Sequence, residues 1–94
     1  ARSVILEERE YLYDNLNNIR GIKVYPSDAN FFLCKLKDGR IKNVTELSKK
    51  LIGKRILIRN CCNFRGLNDR FFRIAVRKRE ENIKLISALR TLLE

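Results

Sequence analysis

The amino-acid sequence predicts an α+β domain: a small, mainly antiparallel sheet with helices packed on one face, in the order α-β-β-α-β-β-α. Three features carry this. Apolar residues recur at helical spacing near both ends of the chain and once in its middle. Four short runs rich in β-branched and aromatic residues lie between those segments, and turn-forming residues separate the runs. At 94 residues the chain is the size of one domain with one core, so residues 1–94 are read as a single small domain.

The first helix is predicted over residues 2–18, RSVILEEREYLYDNLNN, with Ile5, Leu12 and Leu16 near one stripe and Glu7, Glu8, Arg9 and Asp14 elsewhere. Asn17, Asn18 and Gly21 end it. IKVYP, residues 22–26, reads as a short strand stopped by Pro26, and SDAN as a turn-like link. FFLCKL, residues 31–36, is a second strand, followed by the turn KDGR. Thr45 is a plausible N-cap for the helix ELSKKLIG, with Asn43 competing for that place. Leu47 and Leu51 supply its apolar pair, and Gly53 fits its C-terminus. RILIR, residues 55–59, is a third strand and FFRIAVR, residues 71–77, a fourth. The polar loop NCCNFRGLNDR between them is long for a compact domain, and long loops are often functional. A last helix spans 79–93, with Ile83, Ile86, Leu89, Leu92 and Leu93 as its stripe.

The net charge of +10 is uneven. Residues 35–79 carry 15 Lys/Arg and 3 Asp/Glu, whereas residues 1–34 carry 4 and 5, and residues 80–94 carry 2 and 3. This points to an anionic partner: nucleic acid, a phosphorylated metabolite or an acidic protein surface. No apolar run reaches the roughly 20 residues of a membrane span, and no segment resembles a signal peptide. With no histidine, and with Cys34, Cys61 and Cys62 as its only cysteines, the chain lacks ligands for an intramolecular zinc site unless a carboxylate joins in. An odd, scattered cysteine set suggests reduced thiols in a reducing, cytoplasmic compartment. Methionine is absent even from position 1, so either an initiator was removed before Ala1 or, the expectation preferred here, this is a piece of a longer chain.

Strand side chains alternate between faces. In FFRIAVR, Phe72, Ile74 and Val76 share a core face, and Phe71, Arg73, Ala75 and Arg77 share the other. In RILIR, Ile56 and Ile58 oppose Arg55, Leu57 and Arg59. The plain reading is a solvated face with arginine stems lying over apolar neighbours. The sharper reading is an anion site, because each guanidinium offers a planar fork that matches a carboxylate or phosphate.

ILIRNCCNFRGLNDRFFRIAVRKREEN, residues 56–82, together with PSDANFFL, residues 26–33, resembles the C-terminal small domain of class I/II aminotransferase-fold enzymes, which are fold-type-I, pyridoxal-phosphate-dependent proteins. Within that group the likeness is to L-threonine O-phosphate decarboxylases of cobalamin biosynthesis, favoured by the R-x-C-x-N-F-x-G-L form of the loop, with histidinol-phosphate aminotransferases as near relatives. The resemblance implies that Arg73, on the last strand, binds a substrate carboxylate or other anion and that Arg59 contributes to the same recognition. It does not divide carboxylate and phosphate between them. Asn60 and Asn63 lie in the matching loop as supports, and Arg77, which shares a face with Arg73, is a further support. It implies too that the Schiff-base lysine, the acidic partner of the pyridine nitrogen and the cofactor phosphate cup lie in a preceding large domain. Pyridoxal phosphate is then a cofactor of the parent, a homodimeric cytoplasmic enzyme whose large domain is this segment's partner. No residue here is assigned a catalytic, cofactor-binding or metal-binding role, and the segment alone is expected to be inactive. The resemblance leaves decarboxylase and aminotransferase open. A reading of another class is a basic nucleic-acid-binding module with Phe31, Phe32, Phe64, Phe71 and Phe72 as stacking surfaces. Against it, no glycine–aromatic RNA-binding motif is present, and several of these rings are needed in the core. A third is a structural or regulatory domain without substrate.

Overall fold

The computed structural model describes residues 3–61 and 63–94; residue 2 of the first predicted helix and the thiol of Cys62 lie outside the described residues. Ser3 caps the first helix, α1 (Val4–Asn17), its Oγ accepting from the Leu6 N–H at 3.1 Å. Then come β1 (Ile22–Val24), β2 (Phe31–Leu36), α2 (Val44–Ile52), β3 (Arg59–Asn60), β4 (Phe71–Ala75) and α3 (Arg79–Leu93). The strands form one sheet in the order β1-β2-β4-β3 with every pairing antiparallel. The α+β order predicted from sequence is therefore present.

The core lies between one sheet face and the helices. Ile22, Val24, Phe32, Cys34, Leu36, Phe72 and Ile74 alternate inward along the strands and are buried. Leu12 and Leu16 of α1, Val44, Leu47 and Leu51 of α2, and Leu85, Ile86 and Leu89 of α3 close over them. Each fully buried Phe or Leu stabilises the fold by roughly 1.5–3 kcal/mol. The opposite sheet face carries no helix, and its residues are exposed or half-buried.

Two stripes differ from expectation. Ile5 is exposed, and the buried position one turn before Leu12 is Glu8, at 7% exposure. On α3, Ile83 is exposed while Asn82 is buried. The two buried polar residues meet. Arg79 donates from Nε to both Glu8 oxygens at 3.0 Å and from Nη2 to Oε2 at 2.9 Å, and Asn82 Nδ2 donates to Oε1 at 3.1 Å. The Arg79 guanidinium lies 3.8 Å from the Tyr11 ring centroid. These hydrogen bonds from Arg79 hold the Glu8 carboxyl below its ordinary value, against the opposing effect of burial. Buried charge is tolerated when it is paired and hydrogen-bonded, so this knot ties α1 to the start of α3.

α2 begins at Val44, and its N-cap is Asn43 rather than Thr45. Asn43 Oδ1 accepts from the Glu46 N–H at 2.9 Å, while Glu46 reaches back to the Lys42 N–H at 2.8 Å. Its end also differs from expectation. Gly53 keeps a right-handed φ of −60°. The left-handed residue is Arg55, with φ of 62°. The Ile56 N–H bonds to the Leu51 carbonyl and the Arg55 N–H to the Ile52 carbonyl, both at 2.9 Å, which is the Schellman pattern. Leu51 and Ile56 are both buried, completing the motif's apolar contact.

That ending shortens the third strand. RILIR does not form a ladder over 55–59; only Arg59 and Asn60 pair. Arg55 is held in the helix-ending motif, and a groove opens between Ile56–Leu57 and Ile74–Ala75, where the strands splay. The alternation survives without the ladder: Ile56 is buried and Ile58 half-buried, while Arg55, Leu57 and Arg59 are exposed. β4 likewise ends at Ala75 rather than at residue 77. The Asn82 side chain accepts from the Arg77 N–H at 3.2 Å and donates to the Arg77 carbonyl at 2.8 Å, turning the chain into α3.

Candidate functional site

The β3–β4 register sets Arg59 directly opposite Arg73, and Asn60 opposite Phe72. Both arginines stand on the open face. Like charges opposite one another destabilise a strand pair by up to about 1 kcal/mol. Arg59 is exposed and Arg73 half-buried. Neither guanidinium makes a hydrogen bond or ion pair with a described residue, whereas those of Arg70, Arg77, Arg79 and Arg90 all have carboxylate partners. Arg73 Nε is shielded from solvent and has no acceptor. The guanidinium carbon of Arg73 lies 4.5 Å from the Phe31 ring centroid and 5.9 Å from that of Phe64. Two unpaired forks side by side can take an oxyanion through several charge-assisted hydrogen bonds.

The loop after β3 is built from tight turns. The Phe64 N–H bonds to the Cys61 carbonyl at 3.1 Å, and the Leu67 N–H to the Phe64 carbonyl at 3.0 Å. The second turn has Gly66 at its third position with φ of 82°, as a type II turn requires. No atom lies within 4 Å of where a Cβ on Gly66 would stand, so the glycine answers a backbone need and not a steric one. Arg70 anchors the far end. Its Nε donates to the Leu36 carbonyl at 2.9 Å, Nη1 to the Lys42 carbonyl at 3.2 Å, and Nη2 lies 3.1 Å from Asp38. The loop is thereby pinned to the segment joining β2 and α2.

Of the residues singled out from sequence, the sheet brings Arg59 and Arg73 together. Asn60 closes β3 beside them, and Asn63 sits in the loop; both are exposed. Arg77 stands apart, two residues past the end of β4, with its guanidinium 3.9 Å from Glu81 of α3. Sequence reasoning left out Phe31 in this role, and also Lys23, Lys35 and Arg70. Lys23 and Lys35 are cross-strand partners on the open face. Their ammonium groups lie 5.0 Å from the Tyr25 centroid and 5.6 Å from that of Phe71. The alternation of FFLCKL puts Phe31, Leu33 and Lys35 on one face, but only the β2–β4 register, with Leu33 opposite Arg73, shows which residues they meet. Among the described residues no group of three or more His, Cys, Asp or Glu is placed to hold a metal ion, and no helix is long and apolar enough to cross a membrane.

The family model for aminotransferase class I and II matches residues 1–89. The chain belongs to that family. The histidinol-phosphate aminotransferase of Caldanaerobacter subterraneus subsp. tengcongensis is 46% identical over 89 residues, which are 95% of this chain and 24% of that protein. The threonine-phosphate decarboxylase of Salmonella typhimurium is 37% identical over 87 residues, 93% of this chain and 23% of that protein. Among solved structures, L-threonine-O-3-phosphate decarboxylase from Porphyromonas gingivalis superposes with a TM-score of 0.83 at 34% identity, covering 92% of this chain and 26% of that one. This aminotransferase-family chain thus spans about a quarter of the length of the relatives it matches.

Proposed function

We propose that this domain is the substrate-gripping C-terminal part of a pyridoxal-phosphate-dependent enzyme, with Arg73 and Arg59 as ligands for the anionic groups of an amino-acid-derived phosphate. The observation that carries the reading is the cross-strand pair of arginines without anionic partners, one of them with a shielded, unbonded Nε. Asn60 and Asn63 flank the pair as supports. Arg77, ion-paired to α3, contributes at most from a distance. Threonine-phosphate decarboxylation is the first reading, in keeping with the name and the fold of two relatives. The second is histidinol-phosphate amino transfer, favoured by the 46% identity to an aminotransferase of that name.

Pyridoxal phosphate, when bound, supplies the electron sink that either reaction needs. The residues described here do not fit its seat. The N-termini of α1 and α2 are capped by Ser3 and Asn43, the uncapped first turn of α3 carries Glu80 and Glu81, which repel a phosphate, and the open-face lysines Lys23 and Lys35 lie over aromatic rings. We therefore assign the cofactor to the large domain that makes up the rest of such enzymes, and the partners implied are that domain and a second copy of the enzyme. This chain's part is to hold the substrate's anions, which fixes the substrate's orientation.

The test uses the full-length enzyme. Carbon dioxide release from L-threonine O-phosphate, measured against amino transfer from histidinol phosphate, separates the two readings. Arg73→Lys keeps the charge and loses the fork, so kcat/KM should fall at least about tenfold with little change in melting temperature. Parental kinetics in that variant would remove Arg73 from the site.

A further inference from the structure

We propose that Phe31 and Phe64 form an aromatic clamp that fixes the plane of the Arg73 guanidinium and thereby sets the affinity of this site for oxyanions. The inference rests on the reading of Arg73 as a substrate-anion ligand and assigns two positioning residues to it. Phe31 approaches from β2, where its partner is Ala75, diagonal to Arg73. Phe64 approaches from the loop after β3. Neither ring is explained by the core: Phe31 is 38% exposed and Phe64 53% exposed, and neither belongs to the buried cluster. Rings that keep this much surface in water forgo part of what full burial would contribute, and a ring within about 6 Å of a guanidinium attracts it through its quadrupole.

The loop's construction supports the same conclusion. The Phe64 N–H and carbonyl are both used in turns, and the second turn depends on the positive φ of Gly66. Phe64 is thus presented by a fixed backbone and not by a free tip. With Nε shielded, the reachable edge of Arg73 is its pair of terminal nitrogens, which make no hydrogen bond or ion pair with a described residue. Rings that hold the guanidinium plane keep that edge toward an incoming carboxylate or phosphate. They lower the ordering cost of binding, which is what preorganisation does. A lysine at the same place would gain cation–π attraction but has no plane to hold.

The experiment uses the full-length holoenzyme with L-threonine O-phosphate and inorganic phosphate as probes. Phe64→Leu removes the ring and keeps apolar bulk; Phe64→Tyr keeps the ring. Phe31→Leu is the second arm should Phe64→Leu fail to fold, and Arg73→Lys is the reference. The expected result is that Phe64→Leu weakens binding of both probes by about three- to tenfold. KM should rise more than kcat falls, the melting temperature should hold, and Phe64→Tyr should restore parental affinity. Parental affinity in the leucine variants, with Arg73→Lys weakened, would overturn the clamp and leave the role of Arg73 standing. Loss in Phe64→Tyr as large as in Phe64→Leu would also overturn it, because the ring would not be the operative group. Parental affinity in Arg73→Lys as well would remove the reading on which the clamp rests.

Discussion

Arg59 and Arg73 are direct cross-strand partners, one on a two-residue edge strand and the other in the middle of β4, and neither guanidinium has an anionic partner among the described residues. On the proposed reading, stability and anion binding therefore pull this pair in opposite directions. Arg59→Gln should stabilise the protein by roughly 0.2–1 kcal/mol in an anion-poor buffer, since it removes like-charge repulsion across the ladder. Phosphate should raise the melting temperature of the parent and raise that of the variant less. Urea denaturation with and without phosphate checks both signs; equal phosphate effects on the two proteins would mean that Arg59 takes no part in anion binding.

Glu8 makes the fold acid-sensitive. Its carboxyl is held low chiefly by the hydrogen bonds from Arg79, so its proton is bound more tightly in the unfolded chain than in the folded one. A depressed folded value means that the stabilisation is present above the ordinary glutamate value, about 4.3, and is lost as pH falls through the lower folded value. Glu8→Gln should melt several degrees lower at neutral pH, and the gap should close progressively below about pH 4.3. Melting curves at a series of pH values read this directly, and a gap independent of pH would show that the Glu8 charge is not what ties α1 to α3.

Arg55 carries the left-handed conformation that ends α2, a conformation in which an L side chain costs roughly 1–2 kcal/mol. Arg55→Gly removes that cost at the expense of greater freedom in the unfolded chain, for a net gain of about 0.5–1 kcal/mol. The same change at Gly53 in reverse, Gly53→Ala, should be nearly neutral or stabilising, because Gly53 has helical φ and a Cβ there meets nothing closer than 3.5 Å. Chemical denaturation of the two variants measures this; a destabilised Arg55→Gly would mean that the arginine side chain holds the turn.

Cys34 is fully buried on β2, and burial, with a smaller contribution from nearby Cys61, pushes its thiol up to about 12. At pH 8 about one part in ten thousand is thiolate, the reactive form. Thiol reagents should leave Cys34 unmodified in the folded protein and label it at once in denaturant. Mass-spectrometric mapping of the labelled peptides decides it, and fast labelling of Cys34 under native conditions would mean that β2 opens locally.

Much of this domain was legible in the sequence because the signals are local. The period-2 pattern of Phe72 and Ile74 against Phe71 and Arg73 placed the core and the open face, and of the stripe expected on α3, Ile86 and Leu89 are buried, whereas Leu85, which it left out, is buried too and Ile83 is exposed. The competition between Asn43 and Thr45 could also be seen, although the choice of Asn43 awaited its bond to the Glu46 N–H, and the tight turns inside the polar loop emerged only with the positive φ of Gly66. Propensity and periodicity act over a few residues, so they give element type and inward face together.

The tertiary structure decided what depends on partners distant along the chain. The burial of Glu8 could not be read from α1, because the charge is tolerated there only through Arg79, 71 residues later. The same knot draws Asn82 inward and leaves Ile83 outside. The short β3 followed from the left-handed turn at Arg55 and the splay beside Ile74, neither of which a run such as RILIR announces. The sequence by itself determined that arginines stand on an uncovered sheet face. Only the register of β3 on β4 set Arg59 against Arg73, and only the folded loop brought Phe64 to the same guanidinium. Alternation specifies a side of a sheet, whereas strand register and loop closure specify a neighbour, and those are fixed by the whole core at once.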